Sequence, residues 1–134
     1  MAPRIKAVNA YRPRIEQGNT VQKPEFIRAV SRATSLVEST ADQTVKEVRD
    51  HIIEYCRAGR AVKVDGFGTF TPTIDLEGRF AISFRPDPFF GHGLNLPGTF
   101  SGTILNREHI GKTSDELVAL WNEEHTDDPV TIIE

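Results

Sequence analysis

The sequence predicts an α+β fold in which two helices are followed by an antiparallel β-hairpin and then by a segment with one more helix. Apolar residues recur at helical spacing in two stretches of residues 22–57. They alternate with polar residues along residues 79–85, as in a strand with one apolar face. Near the C-terminus, Thr113-Ser114-Asp115-Glu116 forms a capping-box pattern before a further apolar stripe. The order of these periods predicts a helical pair followed by a hairpin.

The two central helices have recognisable ends. The first is expected to begin near Gln22–Pro24, because proline is favoured in a first turn, and to end near Thr34–Leu36. The second is expected to begin at an N-cap in Ser39-Thr40-Ala41-Asp42 and to end at Gly59. Between these ends the second helix carries an apolar stripe of Val45, Val48, Ile52 and Ile53.

The remaining segments are predicted to be strands and loops. Residues 5–11 are β-compatible and precede Arg12-Pro13, which predicts an N-terminal edge strand. Residues 61–64 and 67–74 predict two strands, and Asp75-Leu76-Glu77-Gly78 predicts the turn into the return strand, residues 79–85. Residues 86–102 are rich in proline and glycine and predict a loop. Short strands are expected at 103–105 and 130–133.

Charge is distributed unevenly along the 134 residues, whose net charge is −3. Residues 1–63 contain 12 Lys or Arg and 7 Asp or Glu, a net charge of +5, whereas residues 64–134 contain 4 and 12, a net charge of −8. The asymmetry indicates two electrostatic faces or a separable acidic tail. The alternative is a solvated charge distribution without function.

Several function classes are disfavoured by the sequence. The chain has no run of 18 apolar residues and no apolar stretch after its basic N-terminus, so neither a membrane span nor a secretory signal is expected. The single cysteine, Cys56, fits a cytoplasmic protein.

Catalytic and ligand sites are also not expected. The four histidines are scattered without metal-ligand spacing, and Gly111-Lys112-Thr113 lacks the earlier glycine of a phosphate-binding loop, since position 106 is Asn106. We therefore expect no enzyme activity, no cofactor, no metal and no small-molecule substrate.

One motif identifies a family. Residues 62–70 end in Gly66-Phe67-Gly68-Thr69-Phe70, and they follow the two helices and Gly59. Lys23-Pro24-Glu25 places a lysine and an acid at the start of the first helix. In this order the pieces, which cover residues 22–70, resemble the HU/IHF family of bacterial histone-like, DNA-architectural proteins.

The resemblance implies an HU/IHF-like domain that works as an intertwined homodimer. The domain is expected to span residues 1–95, including the N-terminal edge strand. Residues 96–134 are expected to form a C-terminal extension packed on the same domain. The residues implied to build the core of the fold and of the dimer are Gly66, Phe67, Gly68, Phe70, Phe80 and Phe84.

The sequence departs from the family where HU-like proteins extend a long basic β-arm tipped by a proline that wedges between base pairs. The hairpin turns at Asp75-Leu76-Glu77-Gly78, only five residues after Phe70, so the arm is expected to be missing. An alternative alignment places residues 85–90, Arg-Pro-Asp-Pro-Phe-Phe, at the tip of an arm. The layout resembles a divergent branch of the family with an added N-terminal strand, a short hairpin and a C-terminal extension.

Two functions follow from the resemblance. The first is a nucleoid-associated, DNA-condensing protein that binds double-stranded DNA without sequence specificity through phosphate contacts. Its candidate DNA-binding residues are Lys23, Arg28, Arg32, Lys46, Arg49, Arg60, Lys63, Arg79 and Arg85. The second is a dimeric structural or protein-interaction module that has lost DNA binding, as the missing arm and the acidic C-terminal half suggest.

Overall fold

The computed structural model describes residues 2–130, and the chain divides into two units. The central unit is Thr20–Phe100, and the terminal unit combines Met1–Asn19 with Ser101–Glu134. The boundary between residues 100 and 101 lies five residues after the expected one, whereas residues 1–19, expected in the first domain, group with the C-terminal segment. The predicted final strand at 130–133 lies, apart from Val130, outside the described residues.

Five α-helices and five strands are present in residues 2–130. The helices are α1 (Arg4–Tyr11), α2 (Lys23–Thr34), α3 (Glu38–Arg57), α4 (Pro88–Leu94) and α5 (Ser114–Glu124), and a 3-10 helix covers Arg107–His109. The strands are β1 (Arg14–Ile15), β2 (Val62–Val64), β3 (Gly68–Ile74), β4 (Phe80–Pro86) and β5 (Ile104–Leu105). The α+β class and the helical pair before a hairpin are confirmed.

In the central unit, α2 and α3 pack against each other and α3 packs against β2 and β3. The helix α3 begins at Glu38, one residue before the predicted N-cap, and Val37 caps it with backbone in an extended conformation. Its C-terminus is as expected, because Gly59 has a φ of 78° and donates its backbone N–H to the carbonyl of Cys56. Glycine adopts this left-handed conformation without steric cost, so the chain can turn directly from α3 into the sheet.

The sheet of the central unit has the strand order β2-β3-β4, with both pairs antiparallel. The hairpin between β3 and β4 turns at Asp75–Gly78, as predicted, and Asp75 organises the turn. Its backbone N–H donates to the carbonyl of Arg79, and its carboxylate accepts from the backbone N–H groups of Glu77 and Arg79. A carboxylate that closes its own turn in this way is a common turn-forming device. Because Asp75 closes the turn at this point, the hairpin is short.

Two expectations for residues 85–94 are wrong. Arg85 and Pro86 belong to β4 and pair with Thr69 and Gly68, so the alternative alignment that made residues 85–90 an arm tip is wrong. The predicted loop contains α4, which begins because Asp87 accepts a hydrogen bond from the backbone N–H of Phe89 and Pro88 occupies the first turn. Aspartate at the N-cap followed by proline favours a helix start even in a glycine-rich segment.

In the terminal unit, α1 packs against α5 and β1 pairs with β5. The expected edge strand at residues 5–11 is wrong, since this segment is α1. Ala7, Val8 and Tyr11 have the i, i+1, i+4 spacing of a helix face, and Ala7 is fully buried beside Val118 and Trp121. A stretch of only seven residues fits the apolar spacing of a strand as well as that of a helix. The helix forms because it packs Ala7 and its neighbours against Trp121.

The C-terminus of α1 is capped by residues that are distant in the sequence. The amide of Asn106 donates to the carbonyls of Ala10 and Arg12, and Nδ1 of His109 lies within hydrogen-bond distance of the carbonyl of Tyr11. Carbonyls in the last turn of a helix have no partner within the helix, so these side chains satisfy them. Of the capping box predicted before α5, the N-cap hydrogen bond is present, because the hydroxyl of Thr113 accepts from the backbone N–H of Glu116.

Tyr11 provides a pH-dependent test of the terminal unit. Its hydroxyl donates to the carboxylate of Glu124, and this hydrogen bond, with a smaller contribution from burial, raises the pKa of Tyr11 from 10.0 to about 12. The contact therefore stabilises the unit below about pH 10 and is lost as the pH rises through about 12. We expect Glu124→Gln to lower the pKa of Tyr11 toward its ordinary value, as measured by the ultraviolet absorbance of phenolate. An unchanged titration would contradict the contact.

Candidate nucleic-acid interface

The three-stranded sheet of the central unit has two chemically different faces. Residues that pair across antiparallel strands share a face, and successive residues alternate between faces. One face is apolar and carries Val62, Phe70 and Phe84 in one cross-strand row, with Pro72 beside Ile82 and Ile74 beside Phe80 in others. The opposite face is polar. The helix α3 packs against the sheet, and its Ile53 and Cys56 border a groove with Pro72, Ile74, Phe80 and Ile82.

The polar face carries a basic row across all three strands. Lys63 on β2 pairs with Thr69 on β3, and Thr69 pairs with Arg85 on β4. The next row of this face is Thr71 paired with Ser83. The side chains of Lys63 and Arg85 are exposed, and none of the strand residues of this face is acidic. We call Lys63, Thr69, Thr71, Ser83 and Arg85 the basic face.

Two of the carboxylates near this face in sequence, Asp87 and Asp75, accept hydrogen bonds from the backbone, whereas Asp65, two residues after Lys63, is exposed. Asp87, which follows β4, accepts from the backbone N–H groups of Phe89 and Gly66 at 2.9 and 3.3 Å. Asp75 closes the hairpin turn. Both acids therefore shape the ends of the hairpin.

Four phenylalanines cluster around the Gly66-Phe67-Gly68 segment. The ring of Phe67 lies 6.0 Å from that of Phe70, 5.9 Å from that of Phe84 and 5.8 Å from that of Phe90, and Phe70 stacks on Phe84 at 4.6 Å. Phe90 was not foreseen, because α4 was taken as a loop. Phe80 lies outside this cluster and is 83% exposed in the single chain.

Gly66 and Gly68 shape the same segment in different ways. Gly66 has a φ of 80° in the turn between β2 and β3. Gly68 is buried, and a Cβ atom there would lie 2.5 Å from Cε2 of Phe84 and 2.6 Å from the backbone oxygen of Arg85. Only a residue without a side chain allows β3 to approach β4 this closely.

Residues 3–81 match a family model described as an HU domain fused to a wHTH, Ig or glycine-rich motif, named HU-HIG. The chain belongs to the HU-HIG family. The match covers more than half of the 134 residues and runs from α1 to the beginning of β4. The family relationship indicates a DNA-binding, histone-like character in general. No match was found among curated proteins.

In this HU-HIG protein, four of the nine predicted DNA-binding cations are neutralised within the chain. Asp42 binds both Lys23 and Lys46, with N–O distances of 2.7 and 2.9 Å. The hydrogen bond from Lys23, and to a smaller extent the one from Lys46, lowers the pKa of Asp42 below its ordinary value. Arg49 pairs with Asp50 at 2.9 Å, and Arg79 pairs with Glu77 and Asp75 in the hairpin turn. Sequence patterns could not show which acids face these cations.

The other five predicted cations of the HU-HIG chain form no ion pair within residues 2–130. They are Arg28, Arg32, Arg60, Lys63 and Arg85. The guanidinium of Arg60 lies over the ring of Tyr55, 5.4 Å from its centroid. The strand register brings only Lys63 and Arg85 together, in the basic row.

Two further findings on the HU-HIG protein concern metal sites and membrane-spanning helices. Within residues 2–130, no group of three or more His, Cys, Asp or Glu side chains is arranged to hold a metal ion. No helix of this part of the chain combines the length and the apolar character that a membrane crossing requires.

Proposed function

We propose that this HU-HIG protein is a non-enzymatic, nucleoid-associated architectural protein that binds double-stranded DNA as a homodimer, without sequence specificity. The observation that supports DNA binding is the basic face, where Lys63 and Arg85 flank Thr69 in one row of the sheet. Ammonium, guanidinium and hydroxyl groups are the donors that proteins commonly direct at phosphate oxygens. The DNA backbone is therefore the ligand that fits this face.

The shape of the hairpin limits what bound DNA would undergo. Wedging an apolar side chain between base pairs, as architectural proteins do, needs an element that reaches the groove. The hairpin ends at Asp75–Gly78, and this turn carries Asp75 and Glu77. We expect phosphate contacts with little bending, and hence weak binding that depends strongly on salt.

The homodimer is supported by the apolar surface that a single copy of the central unit leaves exposed. Its buried apolar residues, within the described part of the chain, are Ile27, Ala41, Ile52 and Cys56. Phe67 and Phe84 are each 43% exposed, although both belong to the aromatic cluster. Large exposed apolar surfaces mark association sites. A second copy would cover the apolar side of the sheet and leave the basic face to DNA.

Charge reversal on the basic face tests the DNA-binding surface. In a gel-shift titration on linear DNA at low salt, Lys63→Glu/Arg85→Glu is expected to weaken binding by about 100-fold or more. The dimer loses four charge-assisted contacts, each worth on the order of 1 kcal/mol or more. The dependence of log K on log salt should also flatten by roughly 3–4, since about 0.9 counterion is released per phosphate contact.

The matched control for this experiment is Lys46→Glu/Arg49→Glu, which makes the same charge change on α3. Because Asp42 and Asp50 already neutralise Lys46 and Arg49, we expect a much smaller loss of affinity. An equal loss in both variants would show that the basic face is not the interface. No shift of the wild-type protein at tens of micromolar in low salt would contradict DNA binding altogether.

The second candidate function is a dimeric structural or protein-interaction module that does not bind DNA. One observation favours it: Lys23, the lysine that opens α2, is neutralised by Asp42 together with Lys46. A dimer by light scattering that fails to shift DNA would support this function. A mass near the 15.0 kDa of one chain at high protein concentration would contradict both candidates, since both require a dimer.

A further inference from the structure

An apolar groove lies on the central unit, between α3 and the outer half of the β3–β4 hairpin. Its volume is about 650 Å³, and its apolar lining comes from Ile53 and Cys56 of α3 and from Pro72, Ile74, Phe80 and Ile82 of the hairpin. Ile74 is 63% exposed and Phe80 is 83% exposed. The single chain therefore forms an apolar groove and leaves it open.

A complementary apolar segment begins at α4. Residues 88–106 contain no Lys, Arg, Asp or Glu, although 26% of the chain is charged. Phe89, Leu94 and Leu96 in this segment are 70%, 69% and 57% exposed. An uncharged segment that displays three large apolar side chains fits an apolar partner surface. We call residues 88–96 the α4 segment.

The α4 segment cannot reach the outer end of the groove of its own copy. Phe90 holds α4 against Phe67, with ring centroids 5.8 Å apart, beside the row in which Gly68 pairs with Pro86. Phe80, at the outer end of the groove, pairs with Ile74, six residues further along β3. At about 3.3 Å per residue, the two rows are roughly 20 Å apart. The groove and the α4 segment are therefore two separate, unfilled apolar features of one copy.

We infer that the α4 segment of a second copy occupies this groove, and that the exchange is reciprocal in a two-fold dimer. The inference rests on the homodimer of the proposed function and specifies which residues meet. In a two-fold dimer, the α4 segment of each copy meets the groove of the other copy. Both the groove and the α4 segment of each copy are therefore covered. Arg57 is the one charged residue in the lining of the groove, so the apolar segment meets no buried carboxylate.

The area involved is sufficient for a stable dimer. With full exposures near 180–200 Å² for large apolar residues, Phe89, Leu94 and Leu96 leave roughly 350 Å² open, and Ile74, Phe80 and Ile82 leave a similar area. Each copy would then bury roughly 700 Å² from these two features, close to the roughly 800 Å² per partner of a standard interface. The groove lies on the apolar side of the sheet, so the basic face stays open.

Because Cys56 is buried, the exposed Ile74 at the edge of the groove is the position that makes the contact testable. We expect Phe89→Cys/Ile74→Cys/Cys56→Ser, treated with a short bismaleimide, to yield a covalent dimer on a denaturing gel, because residue 89 of one copy lies against residue 74 of the other. Wild type, with Cys56 as its single cysteine, and Phe89→Cys/Cys56→Ser should give little of this product. Ile5→Cys/Ile74→Cys/Cys56→Ser is the matched control, since Ile5 is 69% exposed and belongs to the terminal unit.

Light scattering separates the outcomes. A Phe89→Cys/Ile74→Cys/Cys56→Ser variant that stays dimeric but is not cross-linked would overturn the inference and leave the proposed function intact. A variant that becomes monomeric with an unchanged circular dichroism spectrum supports it, because Phe89 lies on the surface of the single copy. Cross-linking of a protein that does not shift DNA would support the inference while contradicting the DNA-binding function. A monomeric wild-type protein would overturn both the homodimer and the inference.

Discussion

Gly68→Ala is expected to destabilise the central unit by about 3–5 kcal/mol, enough to prevent the hairpin from forming its aromatic cluster. The new Cβ would lie 2.5 Å from Cε2 of Phe84 and 2.6 Å from the backbone oxygen of Arg85. The φ of 153° at Gly68 adds a backbone cost of about 1–3 kcal/mol for a residue with a side chain, and overpacking adds a similar amount. Phe84 can rotate, but the backbone of Arg85 can move only if β4 separates from β3.

Urea unfolding followed by circular dichroism measures this effect. Gly78→Ala is the matched control, because Gly78 also has a positive φ, 84°, but an added Cβ would meet no atom within 4 Å. Its expected cost is about 1–2 kcal/mol, from the left-handed backbone alone. Equal stability of the two variants would show that the close approach of β3 to β4 at Gly68 does not limit the fold.

Trp121→Ala is expected to unfold the terminal unit while the central unit keeps its structure. Trp121 is 5% exposed, its ring stacks on His125 at 3.7 Å, and its indole N–H donates to the carbonyl of Asp128 at 2.8 Å. Lys6 and Tyr11 of α1 contact the same ring, at 5.3 and 6.5 Å from its centroid. Truncating a buried tryptophan costs about 3–5 kcal/mol, which is comparable to the stability that so small a core provides.

Hydrogen exchange of the backbone amides distinguishes the two units. We expect the amides of α1 and α5 to lose protection in Trp121→Ala, and those of α3, β3 and β4 to keep it. Trp121→Phe should cost less, about 1–3 kcal/mol, because it keeps a ring in the core and removes the hydrogen bond to Asp128. Loss of protection throughout the chain would contradict the independence of the units.

The same variant bears on the proposed function. The basic face belongs entirely to the central unit. If the DNA contacts are those of Lys63 and Arg85, a protein with an unfolded terminal unit should still shift DNA. The paired charges of the terminal unit, Arg4 with Asp115 and Lys6 with Asp128, indicate that part of the basic N-terminus and acidic C-terminus neutralise each other.

The features that the sequence predicted correctly depend on neighbouring residues. The helix end at Gly59, the turn built by Asp75 and the cap at Thr113 are local, because each needs only a few adjacent residues to satisfy backbone groups or relieve a steric clash. The alternation along β4 follows in the same way from the two-residue period of a strand. The helical pair, the short hairpin and the family relationship were therefore accessible from the sequence.

The features that the sequence could not predict depend on residues far apart in the chain. Residues 5–11 fit a strand as well as a helix, and the helix forms because Trp121, more than 100 residues away, buries Ala7. Lys23 and Lys63 are both predicted DNA-binding lysines next to apolar residues in the sequence. Asp42 neutralises Lys23, whereas the strand register places Lys63 in one row with Arg85. Local sequence determines which backbone conformations are favourable, whereas packing and strand register determine which side chains meet. The candidate site consists of side chains brought together by strand register.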